Sequence, residues 1–251
     1  MAIGAVAGLG ALATLTERQG DASRPGRRGE RRPAPVRFVP ATSVQGLQHA
    51  AAHAVIPEAP LDDLQEHAGS GLIVHPRITI PLFDGAGRPF AVIGPAHPGG
   101  QTWLPVVERQ PGWVRVLLPI RPDGATGWLD AARMTTVVSR HEIGVYPEAR
   151  RLDLLRDGQP IFSWTISTPG LALRERRTFL LTTVRRTPHT APVLIRLGTH
   201  AMPDEAVLVT LNRQPAEPGR THGRGCIHLP EAAMSALGAA LPGCLVRIHA
   251  R

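Results

Sequence analysis

The stretch GRTHGRGCIHLPEAAMSALGAALPGCLVRIHA, residues 219–250, combines three structural signals in a fixed order. A glycine-rich turn carries Cys226, PEAAMSALGAAL predicts a helix with Pro230 suited to its first position, and CLVRIHA predicts a final strand. Two histidines, His222 and His228, lie close to the cysteine in sequence. The stretch therefore raises the question of whether Cys226 is a nucleophile or a small buried residue.

The composition predicts a mainly β protein. Gly and Pro number 26 and 25, while aromatic residues make up only 4% of the 251 residues. This balance is typical of many short elements joined by turns rather than of long helices. The length suits one large domain or two smaller ones, and we expect two compact units.

The chain is strongly basic, with a formal net charge of +8, and every basic residue is Arg. A genome with a strong GC bias would account for the choice of Arg, and selection for guanidinium chemistry is the alternative. The folded part lacks a basic stripe interleaved with aromatic residues, so we expect no nucleic-acid partner. An anionic polymer or a membrane surface would suit the charge.

Residues 1–16 form an apolar segment similar to the core of a signal peptide or signal anchor, although it is too short to span a bilayer. The Arg-rich RPGRRGERRP that follows counts against simple export, and a leader without function is the alternative. We expect export to the cell envelope or anchoring at the outer face of the plasma membrane. Residues 17–71 predict a linker rich in Arg, Pro and Gly, with a short helix over VQGLQHAAAH.

Residues 72–137 predict short strands separated by turn signals such as DGAG, QPGW and RPDG. The segment TWLPVVERQPGWVRVLLPIRPDGATGWLD resembles the bacterial SH3-like module that precedes catalytic domains in actinobacterial cell-wall enzymes. Trp113 and Trp128 lie at its WVRVLLP and GW positions. Together with Trp103, they belong either to the core of a small barrel or to a peptide-binding aromatic groove.

Residues 138–251 predict a second β-rich unit. IGVYPEARRLDLL and PIFSWTIST predict strands joined by the turn RDG, and RTFLLTTV, VLIRLGTHAM and AVLVTL continue the pattern. With the cysteine turn, the helix and the last strand, they predict a β-rich sandwich with one helix after the cysteine loop.

The order of these parts resembles the L,D-transpeptidase (YkuD-type) catalytic domain of bacterial cell-wall synthesis, and the resemblance covers residues 72–251. The family begins with a strand similar to RLDLLRDG and ends in a Ser-His-Gly-Cys turn followed by Ile-Arg-Leu, where this chain has THGRGCIHLP. LGTHA, with His200, resembles a histidine-bearing segment of the actinobacterial branch. The resemblance implies a small SH3-like barrel followed by a β-rich sandwich, a cysteine nucleophile, and no metal or organic cofactor.

The chain departs from the family on the strand before the cysteine turn. A histidine-glycine pair lies there in the family, and its histidine activates the thiol. The corresponding stretch is LVTLNRQP, in which Thr210 or Asn212 occupies the histidine position. Neither side chain can act as a base.

The Ser-His pair directly before the cysteine is also altered. Without a gap, Gly223 and Arg224 replace it, whereas a two-residue insertion would preserve it as Thr221 and His222. His228 stands in place of the family's arginine.

Acyl transfer through sulfur needs a thiolate, a group that handles its proton, and donors for the tetrahedral oxyanion. Arg224 could stabilise a thiolate at Cys226, and His222 is either the base or a solvated loop histidine. Gly225 permits a tight turn, so that its amide and that of Cys226 could aim at one oxygen. We therefore predict Cys226, His222 and Gly225 as catalytic residues.

Five further residues are predicted to contact substrate: Arg224, His228, Thr221, His200 and Asn212. For the two cationic positions the alternative is simple exposure to solvent. His200 either approaches the thiol across the sheet or fills a strand end.

The resemblance implies an L,D-transpeptidase in which Cys226 attacks the carbonyl after the diaminopimelate of a tetrapeptide stem, expels D-alanine and passes the acyl group to an amine of a neighbouring stem. Peptidoglycan stem peptides are then the expected partners, and carbapenems the expected inhibitors. One alternative is a wall-associated pseudoenzyme that binds stem peptides without processing them. Another is a structural disulfide between Cys226 and Cys244, although the apolar run around Cys244 predicts burial.

Overall fold

Most of the described backbone runs in β-strands. The computed structural model describes residues 45–52, 54–64, 69–97, 100–167, 175–184, 194–197, 207–210, 226–237, 240 and 242–249. All of them belong to one compact unit, Pro35–Arg251. The prediction of a mainly β protein is confirmed.

The first sheet has the strand order β3-β2-β8-β7-β6-β1-β9. Its strands are β1 (Leu72–Pro76), β2 (Ile80–Phe83), β3 (Pro89–Ile93), β6 (Leu104–Gln110), β7 (Trp113–Leu117), β8 (Thr126–Asp130) and β9 (Met134–Val138), with a separate ribbon of β4 (Ala96–His97) and β5 (Gly100–Gln101). In the turns QPGW and RPDG, Gly112 and Gly124 have a positive φ, a backbone conformation that is unfavourable for residues with a side chain. The SH3-like assignment of this part stays a prediction.

The three tryptophans of this part differ in burial. Trp128 is buried in the first sheet, with 4% of its surface exposed. Trp113 is half-buried and packs edge-on against Phe83, while the half-buried Trp103 contacts the His75 ring at a tilt of 31°, with ring centroids 4.9 Å apart. Trp128 is therefore a core residue, and the other two lie at the border of the core.

The second sheet has the strand order β12-β11-β10-β17-β13-β14-β15-β16. Its elements are β10 (His141–Tyr146), β11 (Arg151–Arg156), β12 (Gln159–Thr165), β13 (Arg176–Val184), β14 (Leu194–Leu197), β15 (Val207–Thr210), β16 (Cys226–Leu229), α1 (Glu231–Leu237) and β17 (Leu245–Ile248). Neighbouring strands are antiparallel except β10 with β17 and β15 with β16. In the part of the chain that is described, no helix is long and apolar enough to cross a membrane.

The predicted single strand IGVYPEARRLDLL is instead a hairpin. β10 ends at Tyr146 and β11 begins at Arg151, and these two residues pair directly. Between them the amide of Arg150 donates to the carbonyl of Pro147 at 3.1 Å, and Arg150 has a φ of 47°.

The predicted linker, 17–71, differs from the structure over residues 45–64, and the short helix predicted over VQGLQHAAAH is wrong. His49 forms a bridge with Val92, and the amide of Ala50 donates to the Val92 carbonyl at 2.8 Å. Ile56 is fully buried beside the first sheet. Apolar contact and backbone pairing with that sheet stabilise an extended segment over a short helix, which is marginal by itself.

One apolar core spans both sheets. Phe179 and Leu181 of β13 and Leu245 of β17 pack into the core of the first sheet. A second core lies between the opposite face of the second sheet and α1, and it contains Leu152, Leu154, Leu180, Ile227, Leu229, Ala233 and Leu237. β13 therefore supplies side chains to both cores.

A buried ion pair joins the 45–64 segment to β13. The Nε and Nη2 groups of Arg177 donate to the two carboxylate oxygens of Asp62 at 2.9 and 2.6 Å, and both side chains are only 1% exposed. The neighbouring Arg115 donates to Asp63 at 2.6 Å and to the Leu61 carbonyl at 2.7 Å. The segment is thus held to the fold by paired charges as well as by apolar contact.

Asp62→Ala should lower the free energy of unfolding by about 3–5 kcal/mol, because it leaves the Arg177 guanidinium buried without its carboxylate. Urea denaturation followed by circular dichroism measures the change. Asp157→Asn is the matched control, since Asp157 pairs with Arg140 in the same two-pronged way at the surface, and Asn, like Asp, tolerates the positive φ of 51° at this position. It should leave the unfolding midpoint nearly unchanged, and equal effects of the two substitutions would contradict the role given to the buried pair.

Candidate functional site

Cys226 is the first residue of β16, and β16 runs parallel to β15. In the register of this pair, Cys226 lies opposite Val207 and Leu229 lies opposite Thr210. Ile227 and Leu229 are fully buried in the second core. The strand that begins at the cysteine is therefore anchored on one face by two apolar side chains.

The helix α1 follows β16 after Pro230 and packs on the same core. Ala233 and Leu237, one turn apart on the helix, are fully buried there. Pro230 precedes the first helical residue and its carbonyl accepts a hydrogen bond from the Ala233 amide at 3.0 Å. The predicted order of cysteine, helix and final strand is present in the structure, but Cys226 begins the short strand β16, which was not predicted, and the helix is shorter than predicted, Glu231–Leu237.

The pairing register of β15 and β16 also determines which side chains of β15 could act as a base for Cys226. Val207 is the residue of β15 that lies opposite Cys226, and Thr210 lies three residues further along β15. At the rise of a β-strand, the distance between Val207 and Thr210 is about 10 Å. The four residues of β15 read VLVT, and none of them carries a titratable side chain. A base for Cys226 therefore has to come from outside this strand.

Most of the other predicted site residues lie outside the described residues. For Cys226, His228 and Thr210 the structure describes the backbone. The predicted residues that fall outside it are Thr221, His222, Arg224, Gly225, His200 and Asn212. Their roles stay predictions.

Cys244 has an environment that excludes nucleophilic chemistry. It is a free thiol, fully buried in the second core, and its Sγ lies 3.0 Å from the carbonyl oxygen of His141 as a hydrogen-bond donor. Burial raises the pKa of this thiol to about 12. The prediction that Cys244 is buried is confirmed, and the alternative of a disulfide with Cys226 is not present.

A cleft of about 290 Å³ lies where the two sheets meet. Leu72, Val106 and Leu245 contribute apolar walls, and Arg140 and Glu142 lie among its polar residues. The two charges are engaged within the protein, Arg140 with Asp157 and Glu142 with Arg247. Among the described residues, no group of three or more His, Cys, Asp or Glu could hold a metal ion.

No family model matches this chain, and no curated protein sequence matches it. Among solved structures, an L,D-transpeptidase from Mycobacterium smegmatis is similar at 12% identity over 79% of this chain and 95% of that chain, with a TM-score of 0.40. The LD transpeptidase LdtMt1 in complex with imipenem is similar at 12% identity over 82% and 97%, with a TM-score of 0.38. Bd1075 of Bdellovibrio bacteriovorus is similar at 17% identity, with a TM-score of 0.36. The match covers 45% of this chain and 49% of Bd1075, so this chain spans about half the length of Bd1075.

Two features of the structure have no counterpart among the sequence predictions. The first is the Asp62–Arg177 pair, which joins residues far apart in sequence and has no local signal. The second is the exposed aromatic surface of β12, where Phe162 is 50% exposed and stacks with Trp164 at 5.4 Å. The absence of charge in QPIFSWT was the signal for this second feature.

Cys244 should resist alkylation in the folded protein, because a thiol with a raised pKa stays protonated and buried. In the Cys226→Ser variant, which leaves Cys244 as the single cysteine, iodoacetamide at pH 8 should add no mass before denaturation and one adduct after it. Intact-mass spectrometry measures both states. Rapid labelling of the folded variant would contradict the assignment.

The same raised pKa predicts a pH dependence of stability. The folded-state pKa of Cys244 lies above its unfolded value, so its contribution to the free energy of unfolding is complete below about pH 9 and is lost as the pH rises toward 12. Urea titrations across this range should show a decline that is smaller in Cys244→Ala than in the parent chain. Identical declines in the two proteins would contradict the assignment of this pH dependence to Cys244.

Proposed function

We propose that this chain is a cysteine-dependent acyltransferase of the L,D-transpeptidase type, which acts on peptidoglycan stem peptides in the cell envelope. The observation on which the proposal rests is the position of Cys226. It follows the glycine-rich segment THGRG directly in sequence, begins a strand in which Ile227 and Leu229 are buried, and is followed by a packed helix. A nucleophile at the start of a strand has its backbone fixed by the sheet, which favours a defined position for the reacting side chain.

In the proposed reaction the Cys226 thiolate attacks a stem-peptide carbonyl, and a carbon–sulfur bond forms. The tetrahedral intermediate then breaks its carbon–nitrogen bond, and D-alanine leaves with a proton on its amine. An amine of a second stem attacks the thioester, the carbon–sulfur bond breaks, and the thiol regains its proton. The acyl energy is conserved in the thioester, so the reaction needs no other energy source.

His222 is the proposed base for this reaction. β15 has no titratable side chain, so the histidine position of the family has no substitute on that strand. His222 lies four residues before the nucleophile in sequence, within the glycine-rich segment THGRG. The amides of Gly225 and Cys226 are the proposed donors to the oxyanion.

The proposed substrate contacts are the cationic and polar groups around the turn. Arg224 and His228 would bind stem-peptide carboxylates, because both can donate charge-assisted hydrogen bonds. Thr221, His200 and Asn212 would bind neutral parts of the stem.

The chain has two cysteines, and the properties of Cys244 leave one for catalysis. A thiol with a pKa of about 12 has a negligible thiolate fraction at neutral pH. Cys226 is therefore the single candidate nucleophile among the cysteines of this sequence. The purified chain thus allows an unambiguous labelling experiment.

A second candidate function is a wall-associated pseudoenzyme that binds stem peptides without turnover. The absence of a base on β15 favours it. Binding of a synthetic tetrapeptide stem that survives both Cys226→Ala and His222→Ala, together with no product from the parent chain, would establish this function in place of the first.

Exposure of the full chain to imipenem should produce one covalent adduct by intact-mass spectrometry. The thiolate opens the β-lactam as it would attack a stem-peptide carbonyl. Cys226→Ser should abolish the adduct, and Cys244→Ser, the matched control, should retain it. An adduct that persists in Cys226→Ser, or a folded parent chain that forms none, would overturn the assignment of Cys226.

His222→Ala should slow adduct formation by roughly 10²-fold to 10⁴-fold, the range typical of a lost general base. His228→Ala is the matched control, because it removes a histidine at a similar distance from Cys226 in sequence. Stopped-flow rates measured from pH 5 to 9 distinguish the two roles. A base should change the pH profile of the rate, whereas loss of a binding contact should change only the concentration dependence.

A further inference from the structure

The edge of the second sheet at β12 has two unusual properties at the same place. β12 pairs only with β11, so the other side of its backbone has no neighbouring strand among the described strands. Its residues are exposed throughout, apart from the half-buried Trp164. An unpaired edge of this kind is a template for a further strand.

The edge also exposes apolar side chains. Phe162 is 50% exposed and Ile161 is 41% exposed. Phe162 and Trp164 lie opposite Leu154 and Leu152, two buried residues of the second core. Trp164 packs against that core and Phe162 stacks on Trp164, so apolar surface continues from the core onto the edge strand. A strand added to this edge would cover apolar surface and satisfy backbone groups together.

The charges favour a second copy of this chain as the occupant. β12 reads QPIFSWT and has no charged side chain, whereas the whole chain has a formal net charge of +8. Two molecules of like charge associate best through an uncharged surface, and a polyanion would find no cation on this strand. Natural sheet edges usually carry charges that prevent pairing, and β12 lacks them.

The strand is also complementary to itself. In an antiparallel pair with its twofold axis at Ser163, Phe162 of each copy lies opposite Trp164 of the other. Cross-strand aromatic pairs of this kind stabilise sheets, and the axis produces two of them. This register uses the regular part of β12, since the irregularity in its pairing with β11 lies at Leu154/Leu155, before Phe162.

We propose that this chain forms a twofold-symmetric dimer by antiparallel pairing of β12 with β12 of a second copy. β12 and β16 are at opposite ends of the strand order of the second sheet. The dimer therefore leaves the Cys226 strand uncovered and carries two cysteine strands at its two far ends. The proposal does not depend on the proposed acyltransferase function.

Sedimentation velocity of the full chain over a range of concentrations tests the dimer. The parent chain should sediment as a concentration-dependent dimer, and Phe162→Lys should raise the dimer dissociation constant by roughly 100-fold, because the twofold axis places the change on both sides of the contact. Ile78→Lys is the matched control, since Ile78 is an equally exposed apolar residue, at 52%, outside β12. It should leave the dissociation constant unchanged.

A parent chain that stays monomeric at all concentrations would overturn the proposal. So would an association that Phe162→Lys and Ile78→Lys weaken equally, which would indicate general apolar aggregation. A monomer whose β12 amides gain hydrogen exchange only when residues 1–34 are deleted would show that the chain's own N-terminal segment covers the edge, and this also overturns it.

The register is tested by cross-linking in the Cys226→Ser background. Ser163→Cys places two thiols opposite each other on the axis, and mild oxidation should convert most of the protein to a disulfide-linked dimer on a non-reducing gel. Ile78→Cys should remain monomeric under the same conditions. Cross-linking that is equal in the two variants would contradict the pairing at Ser163.

Discussion

The buried pair of Asp62 and Arg177 is the interaction on which the rest of the structure depends. Two opposite charges, each 1% exposed, are stable in the interior only with both partners and their hydrogen bonds in place. Arg177 lies on β13, whose neighbours Phe179 and Leu181 enter the core of the first sheet while Leu180 enters the second. β13 thus fixes the position of both cores, and β14, β15 and β16 continue the sheet from it toward Cys226.

The two cysteines show how a fold assigns different chemistry to the same side chain. Cys244 lies next to a strand that is buried between the sheets and the helix, and its raised pKa makes it a small apolar residue. Cys226 begins a strand at the far end of the same sheet and follows the glycine-rich sequence THGRG. Selectivity between the two thiols needs no special recognition, because burial alone removes one of them from reaction.

The two ends of the second sheet differ in what packs against them. The cysteine strand β16 is followed by α1, which packs Ala233 and Leu237 against the same core as Ile227. At the opposite end, no further described strand pairs with β12, and Phe162 remains half exposed. One end of this sheet therefore carries the proposed nucleophile, and the other end carries the surface proposed for self-association.

Local patterns in the sequence determined the β-rich class, the turns at Gly112 and Gly124, the short helix after the cysteine and the burial of Cys244, because these depend on propensities and apolar runs within a few residues. Only the tertiary structure decided the rest. The extended path of residues 45–64 follows from contact with the first sheet, and the Asp62–Arg177 pair joins distant positions that no spacing rule connects. The register that sets Thr210 about 10 Å along β15 from the residue opposite Cys226 was likewise fixed by long-range pairing, since strand register depends on which faces the whole sheet buries.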